Sequence, residues 1–188
     1  YNGTDVIERG TVKKIDIIVA VGGDGTCNEV VNGMMNAEVL VSCFAIIPNG
    51  TGNDFHRMLG DFSAQYFVLK LERHEPQSID LILVRIKNQT RFSLNIAGGG
   101  FDGFVVNLLN NQRKQLKIGG KMSYALAILR SFFLFKKPLI QLKTETFEYN
   151  GKGLLIAACN GSTFGHGLVI HPNAKLDSGD FGVTLIGD

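Results

Sequence analysis

The chain has 188 residues, of which 45% are hydrophobic and 19% charged, and its formal net charge is +2. This balance predicts a packed globular protein and excludes a disordered chain, and the small net charge gives no reason to expect a nucleic-acid surface. The three cysteines are an odd number without metal-type spacing, which favours a reducing compartment. No uncharged apolar run reaches the roughly 18 residues of a membrane-spanning helix.

Residues 15–36 predict a buried strand, a glycine-rich turn and an amphipathic helix. The apolar, mostly β-branched run at 17–21 is interrupted by three glycines within residues 22–25, the first glycine loop. Apolar residues then recur at helical spacing from Cys27 to Met35. Backbone N–H groups at the start of such a helix, beside glycines that allow close approach, suit a phosphate group.

Three polar residues of this stretch carry further predictions. Thr26 and Glu29 have the spacing of a capping box, which predicts that the helix begins at Thr26. Asp24 lies inside the glycine loop, where a carboxylate would repel a bound phosphate. A cation or a proton would remove this repulsion, so we expect Mg²⁺ or proton transfer there.

A second unit of the same kind follows. Residues 39–48 predict another buried strand, so strand, helix and strand form a βαβ unit with a parallel sheet. Residues 48–55, the second glycine loop, lead into a short helix that Gly60 ends. Because ligands of open parallel sheets bind at the carboxyl ends of the strands, we expect both loops to face one ligand.

The remainder predicts further helices and a β-rich, mostly antiparallel second half. We place the boundary between two domains near Ser78, giving domains at 1–78 and 79–188. A glycine-rich segment at 95–103 favours a bend over another phosphate loop. The predicted helices run from 63 to about 74, over 105–109 and over about 120–135. The predicted strands are 79–86, 90–96, 139–147, 153–159 and 182–186.

Each chemical feature also has a plain structural alternative. One glycine loop is compatible with an ordinary tight turn, whereas two such loops, each with an acid (Asp24 and Asp54), favour phosphoryl transfer, which needs mainly positioning and charge neutralisation. Neither loop has the sequence of a Walker A or a dinucleotide-binding motif. Cys27 is expected to fill the core. Residues 132–137 indicate either a packed helix end or membrane contact, and residues 177–180 either a polar turn or an oxygen-ligand metal loop.

The sequence resembles the diacylglycerol kinase catalytic-domain family, and within it the soluble bacterial lipid kinases. The motifs that carry the resemblance keep their order and spacing along nearly the whole chain. They are residues 22–33, 48–55, 79–81, 95 with 100–102, 160 with 164–167, and 172–179. The resemblance implies an α/β, open parallel-sheet nucleotide domain like that of NAD kinases and diacylglycerol kinases, followed by a β-sandwich-like lipid domain.

The resemblance also implies site residues and cofactors. Asp24 would support Mg²⁺·ATP and proton handling, and Asp54 and Asp80 would belong to an acidic network around the metal. Ser178 stands where the family usually has Asp, so either Asp177 substitutes for it or the metal site is weak or absent. The implied ATP-binding residues are Gly23, Asp24, Gly25, Thr26, Cys27, Asn28, Glu29 and Thr51, and the implied metal loop comprises Lys175, Asp177, Ser178 and Asp180.

We therefore expect an ATP-dependent kinase that phosphorylates diacylglycerol or a related lipid, giving phosphatidate. The alternatives are an NAD or sphingoid-base kinase and a non-catalytic nucleotide- or lipid-binding regulator. The expected partners are the lipid and a transiently contacted membrane surface, with a homodimer as one option, in a cytoplasmic, peripherally membrane-associated protein. By the resemblance, a first strand precedes Tyr1 and an acidic general base follows Asp188, so we expect a chain incomplete at both ends.

Overall fold

The computed structural model describes residues 15–37, 41–60, 72–73, 76–101, 103–105, 107, 131 and 134–187. They form two compact units: unit 1 takes the described parts of Tyr1–Ala97 and Cys159–Gly182, and unit 2 those of Gly98–Ala158 and Val183–Asp188. The boundary near Ser78 stays a prediction. Of the helix expected from 63 to about 74, only residues 72–73 are described, and they are helical. Of the two later predicted helices, only scattered residues are described. Over these ranges no helix is long and apolar enough to cross a membrane.

Unit 1 begins with the predicted βαβ unit. Strands β1 (Ile15–Gly22) and β2 (Val41–Pro48) are joined by helix α1 (Asp24–Asn36) and pair in parallel, which confirms the parallel sheet. One face of this sheet is buried against α1. The core of unit 1 comprises Ala20, Cys27, Val31, Ile46, Phe55, Leu94 and Leu176.

The start of α1 differs from the prediction. The helix begins at Asp24, its N-cap is Gly23, and no side chain caps it, so the capping box of Thr26 and Glu29 was wrong. Thr26 lies within the first turn of the helix, and its side chain fills the space beside Gly22 that a Cβ would otherwise take. The local capping pattern failed because these two side chains have other neighbours in the fold.

The predicted hairpin after residue 78 is confirmed. Strands β3 (Ile82–Ile86) and β4 (Gln89–Ser93) pair antiparallel around a turn in which Lys87 has a φ of 54°. The fully buried Asn32 of α1 joins β4 to the helix. Its Oδ1 accepts a hydrogen bond from the N–H of Phe92 (2.9 Å), and its Nδ2 donates one to the carbonyl of Phe92 (2.8 Å).

The described part of unit 1 also contains a short helix and a second hairpin. Helix α2 (Asp54–Met58) follows the second glycine loop and ends just before Gly60, whose φ is 101°. Strands β8 (Thr163–Phe164) and β9 (Leu168–Val169) pair antiparallel and enclose residues 165–167, called here the hairpin turn. The sequence did not predict this hairpin, because each of its strands has only two residues.

Unit 2 is built around one sheet. In it β7 (Glu148–Cys159) lies between β10 (Gly182–Gly187) and β5 (Ile96–Gly100), and β6 (Leu139–Lys143) pairs antiparallel with β7. The later strands are therefore confirmed with shifted ends.

The glycines at 98–100 lie within a strand, so the expected bend was wrong. Glycine is required at position 100, because a Cβ there would overlap the carbonyl oxygen of Leu154 on the neighbouring strand. Beyond this strand, the ring of Phe135 makes edge contacts with Phe101 and Phe104, at centroid distances of 5.6 and 5.4 Å.

Candidate functional site

The two glycine loops touch through their backbones. A Cβ added to Gly50 would overlap the Cα of Gly23, and the N–H of Asn49 donates a hydrogen bond to the carbonyl of Gly22 (2.9 Å). Both loops follow the carboxyl ends of adjacent parallel strands. The prediction that they lie side by side is confirmed, and glycine is required at the contact because no side chain fits there.

Asn53 gives the second glycine loop its shape. Its backbone is left-handed, with a φ of 53°. Its Oδ1 accepts a hydrogen bond from the N–H of Gly50 (3.0 Å), and its Nδ2 donates one to the carbonyl of Gly50 (2.9 Å). This role was not predicted from the sequence, although asparagine in a glycine-rich turn is the expected residue for a left-handed position with local side-chain hydrogen bonds.

Asp24 joins the first glycine loop to the start of α2. Its Oδ2 accepts a hydrogen bond from the N–H of Asp54 (3.0 Å), and its Oδ1 accepts one from the N–H of Phe55 (2.8 Å). The carboxylate thus caps a helix that lies thirty residues further along the chain, and the free N–H groups of the first turn stabilise its charge. The sequence explained this acid by a cation or a proton, whereas the structure also gives it a positioning role.

Asp54 connects the same helix to a third segment. The residue is only 3% exposed, and its Oδ2 accepts a hydrogen bond from the N–H of His166 (2.9 Å). Its Oδ1 accepts hydrogen bonds from the N–H of Gly167 (2.6 Å) and from Nη1 of Arg57 (3.0 Å). This buried carboxylate therefore fixes the hairpin turn beside the second glycine loop.

The two predicted acids lie close together around Gly52. A Cβ at this glycine would lie 3.2 Å from Oδ2 of Asp24 and 3.2 Å from Oδ2 of Asp54. The structure thus brings both candidate catalytic carboxylates to one place. We use the name glycine-loop edge for the two glycine loops together with Asp24, Asp54 and the hairpin turn.

Two other predicted ATP-binding residues have partners on β4 or directly after it. Oδ1 of Asn28 accepts a hydrogen bond from the N–H of Leu94 (3.1 Å), and Oε1 of Glu29 pairs with Nη2 of Arg91 (2.6 Å). These side chains hold the hairpin β3–β4 against α1. Their part in binding a nucleotide stays a prediction, as does that of Thr51, which is exposed on the second glycine loop.

Two titratable groups near the edge are shifted away from their charged forms. Burial raises the pKa of the Cys27 thiol to about 11, and the negative charge of Asp24 adds to this effect. Burial lowers the pKa of His56, and the charge of Asp24 opposes that shift. Cys27 is a protonated core residue rather than a reactive thiolate, as expected from its apolar helix face.

Asp80 lies against residues 173–180, called here the polar loop. Its Oδ2 accepts a hydrogen bond from the N–H of Gly179 (2.6 Å), and its own N–H donates one to the carbonyl of Leu176 (2.6 Å). The buried Asn160 fixes Asp80 from the other side, since its Nδ2 donates to the carbonyls of Asp80 (2.8 Å) and Leu94 (2.9 Å). The structure thus joins Asp80 to the predicted metal loop.

Oxygen atoms converge within the polar loop. Oγ of Ser178 lies 2.6 Å from Oδ1 of Asp180, 3.2 Å from the carbonyl oxygen of Asp180 and 3.4 Å from that of Lys175. Carbonyl and carboxylate oxygens are the ligands that Mg²⁺ takes, so the residues fit this ion in kind. Asp177 is exposed, and among the described residues no group of three or more His, Cys, Asp or Glu could hold a metal. A site here would combine backbone carbonyl oxygens with the carboxylate of Asp180.

Two family models match the chain. The model of the diacylglycerol kinase catalytic domain matches residues 2–84. The model described as the YegS C-terminal NAD kinase beta sandwich-like domain matches residues 95–188, which is half of the chain. The first match contains the two glycine loops, and the second contains the hairpin turn and the polar loop.

Individual relatives agree with these models. A protein named "Probable lipid kinase YegS" from Shigella dysenteriae serotype 1 is 30% identical over 174 residues, which cover 92% of this chain and 57% of that protein. The protein of the same name from Escherichia fergusonii is 30% identical over 163 residues, covering 86% and 53%. A crystal structure of a diacylglycerol kinase from Bacillus anthracis str. Sterne has a TM-score of 0.66 and 26% identity, covering 98% and 58%. The chain thus spans little more than half the length of these relatives.

Proposed function

We propose that this protein is an ATP-dependent lipid kinase, because the chain belongs to the diacylglycerol kinase-like family that the two domain models define. The names of its relatives support a kinase that acts on lipids. The observation that carries the proposal is the backbone contact between Gly23 and Gly50 at the carboxyl ends of two parallel strands. Open parallel sheets bind their ligands at this edge, and a glycine backbone without a side chain lets a phosphate group approach its N–H groups closely.

ATP would bind with its phosphates at the first turn of α1, whose free N–H groups favour negative charge. Asp24 and Asp54 fix the surrounding segments by their hydrogen bonds, and Asp24 is the candidate for proton handling. The remaining proposed nucleotide contacts are Gly23, Gly25, Thr26, Cys27, Asn28, Glu29 and Thr51.

The reaction would transfer the γ-phosphoryl group to a hydroxyl of diacylglycerol or a related lipid, giving phosphatidate from diacylglycerol. The hydroxyl oxygen forms a bond to the γ-phosphorus, the bond between that phosphorus and the bridging oxygen breaks, and ADP leaves. The hydroxyl proton passes to a carboxylate. Positioning by the fixed glycine-loop edge is the main contribution of this chain, because phosphoryl transfer needs little covalent chemistry from the protein.

Mg²⁺ would have its structural site in the polar loop, held by Lys175, Ser178 and Asp180 with Asp80 and Asp177 nearby. When bound, Mg²⁺ supplies positive charge, and at the nucleotide it would neutralise phosphate charge. The oxygen atoms around Ser178 support the polar loop as the place for this ion.

A lipid acceptor implies contact with a membrane surface from the cytoplasm. Leu134 and Leu139 are exposed on unit 2, and they flank the exposed lysines Lys136 and Lys137. Apolar side chains beside cationic ones suit an anionic lipid surface. This combination supports a peripheral, transient association.

The test uses the complete protein with radiolabelled ATP, Mg²⁺ and mixed micelles that contain different candidate lipids. Label in the phosphorylated lipid is the expected result. Label that appears only in phosphorylated NAD would contradict the proposed lipid kinase activity and favour an NAD kinase. Measurable ATP binding without transfer to any acceptor would favour a regulator that has lost catalysis.

A further inference from the structure

Arg57 brings a positive charge to the glycine-loop edge. Its Nη1 donates a hydrogen bond to Oδ1 of Asp54 (3.0 Å), which lies one turn earlier in α2. A Cβ added to Gly167 would lie 3.1 Å from the same nitrogen. The guanidinium therefore lies against the hairpin turn, and a side chain at position 167 would crowd it.

Most of this guanidinium is available to a ligand. The side chain of Arg57 is 52% exposed, whereas that of its partner Asp54 is 4% exposed. A guanidinium has several N–H donors in a planar fork, and the hydrogen bond to Asp54 uses one of them. The buried carboxylate thus fixes the position of the cation and leaves its other donors free to bind an anion.

The edge needs such a cation if it binds ATP. The two glycine loops and the hairpin turn contain no Lys or Arg, and they carry the carboxylates of Asp24 and Asp54. Like charges at close range repel each other, so these acids disfavour a phosphate. Arg57 is the Lys or Arg nearest in sequence to any of the three segments, and its hydrogen bond to Asp54 joins it to them.

The carboxylates relate Arg57 to the reacting phosphate. Oδ1 of Asp54 accepts the hydrogen bond from Arg57, while Oδ2 of the same group lies 3.2 Å from the position of a Cβ on Gly52. Oδ2 of Asp24 lies 3.2 Å from that same position. Asp24 is the candidate for proton handling, and the γ-phosphate must lie close to the group that takes the hydroxyl proton. The γ-phosphate is therefore the part of ATP that Arg57 would contact.

We propose that Arg57 is a catalytic residue whose guanidinium donates hydrogen bonds to γ-phosphate oxygens of ATP bound at the glycine-loop edge. This inference rests on the proposed kinase function. While the γ-phosphorus leaves the bridging oxygen and bonds to the lipid hydroxyl oxygen, the guanidinium keeps its charge and exchanges no proton. Its positive charge stabilises the negative charge of the transferred group. Asp54 orients Arg57 and acts on the reaction through it.

The test compares ATP with ADP, which lacks the γ-phosphate. In the complete protein, the affinities for both nucleotides and kcat are measured for Arg57→Gln. Loss of a contact to the γ-phosphate is expected to weaken ATP binding about tenfold, to lower kcat about 100-fold and to leave ADP binding unchanged. Lys143→Gln is the control, because it removes a positive charge and its ion pair with Glu148 on unit 2, and it should change none of the three quantities.

A second variant keeps the charge at this position. Arg57→Lys retains a cation but not the planar fork, so it is expected to recover part of the ATP affinity and of kcat. Equal losses of ATP and ADP affinity in Arg57→Gln would show a merely structural role and overturn the inference alone, and so would an unchanged ATP affinity and kcat. Failure of the unaltered protein to bind ATP overturns the proposed function and the inference with it.

Discussion

Aspartates organise both the glycine-loop edge and the polar loop, but they do so differently. Asp24 and Asp54 each accept backbone hydrogen bonds from a segment at least thirty residues away, and Asp54 is buried. Beside the polar loop, Asp80 accepts one exposed hydrogen bond from the N–H of Gly179, while Ser178 and Asp180 bond within the loop itself.

The two regions therefore differ in how their polar atoms are occupied. At the glycine-loop edge, the carboxylates of Asp24 and Asp54 already accept hydrogen bonds from backbone N–H groups. The loops therefore have a fixed conformation before a ligand binds. In the polar loop, oxygen acceptors outnumber the one hydroxyl proton of Ser178. The first region therefore has a fixed conformation, and the second is adjustable.

Asp54→Ala is expected to have the largest effect on stability. The substitution removes the acceptor of three hydrogen bonds, including the ion pair with Arg57. We expect the free energy of unfolding, measured by urea denaturation, to fall by about 3 kcal/mol.

Asp80→Ala is the matched variant beside the polar loop. Its carboxylate accepts an exposed hydrogen bond from Gly179, so we expect a loss of only about 1 kcal/mol. Equal losses in the two variants would contradict the distinction between a fixed and an adjustable region.

Gly50→Ala tests the backbone contact between the loops. The new Cβ would overlap the Cα of Gly23, and overpacking of this kind costs about 2 kcal/mol in the free energy of unfolding. Gly25→Ala is the control, because a Cβ there meets nothing within 4 Å and alanine favours a helix over glycine. Two equally stable variants would show that the loops do not touch.

Asp24→Asn tests the role of this carboxylate in turnover. Asparagine keeps the shape of the side chain but turns an N–H₂ group toward one of the donors of Asp54 and Phe55. We expect the turnover of the complete kinase to fall at least about tenfold, which corresponds to about 1.4 kcal/mol of transition-state stabilisation. Unchanged turnover would remove Asp24 from the mechanism.

The thiol of Cys27 is buried in the core beneath the first glycine loop. Its pKa is raised from 9.0 to about 11, so the unfolded chain loses the thiol proton first as the pH rises. The stability that this group contributes is complete below pH 9 and is lost toward pH 11. Between pH 9 and 10 the loss should be about 1 kcal/mol, and it should be absent in Cys27→Ala. Parallel pH curves for the two proteins would contradict a buried, neutral thiol.

The sequence predicted those features that neighbouring residues determine. The apolar runs specified β1, β2 and α1, and the two glycine loops were placed correctly because they follow strands of one parallel sheet. The capping box failed because Glu29 pairs with Arg91 on a distant strand. The bend expected in the later glycine run failed because Gly100 lies against another strand.

The site was only partly predictable for the same reason. The acids Asp24 and Asp54 were identified, but their partners were not, since these hydrogen bonds span 30 to 113 residues along the chain. Local sequence patterns give no information about such long-range pairs. The role of the hairpin turn therefore becomes visible only in three dimensions.

The smallest expected effect concerns Mg²⁺ in the polar loop. Asp180 contributes a carboxylate and a carbonyl oxygen beside Ser178, whereas Asp177 is exposed. At a Mg²⁺ concentration equal to its dissociation constant, binding stabilises the fold by about 0.4 kcal/mol. A Mg²⁺ titration of the melting temperature should show this rise in the unaltered protein and in Asp177→Ala, but not in Asp180→Ala. A rise that Asp177→Ala abolishes would instead make Asp177 the ligand, and the loop would have to rearrange around the ion.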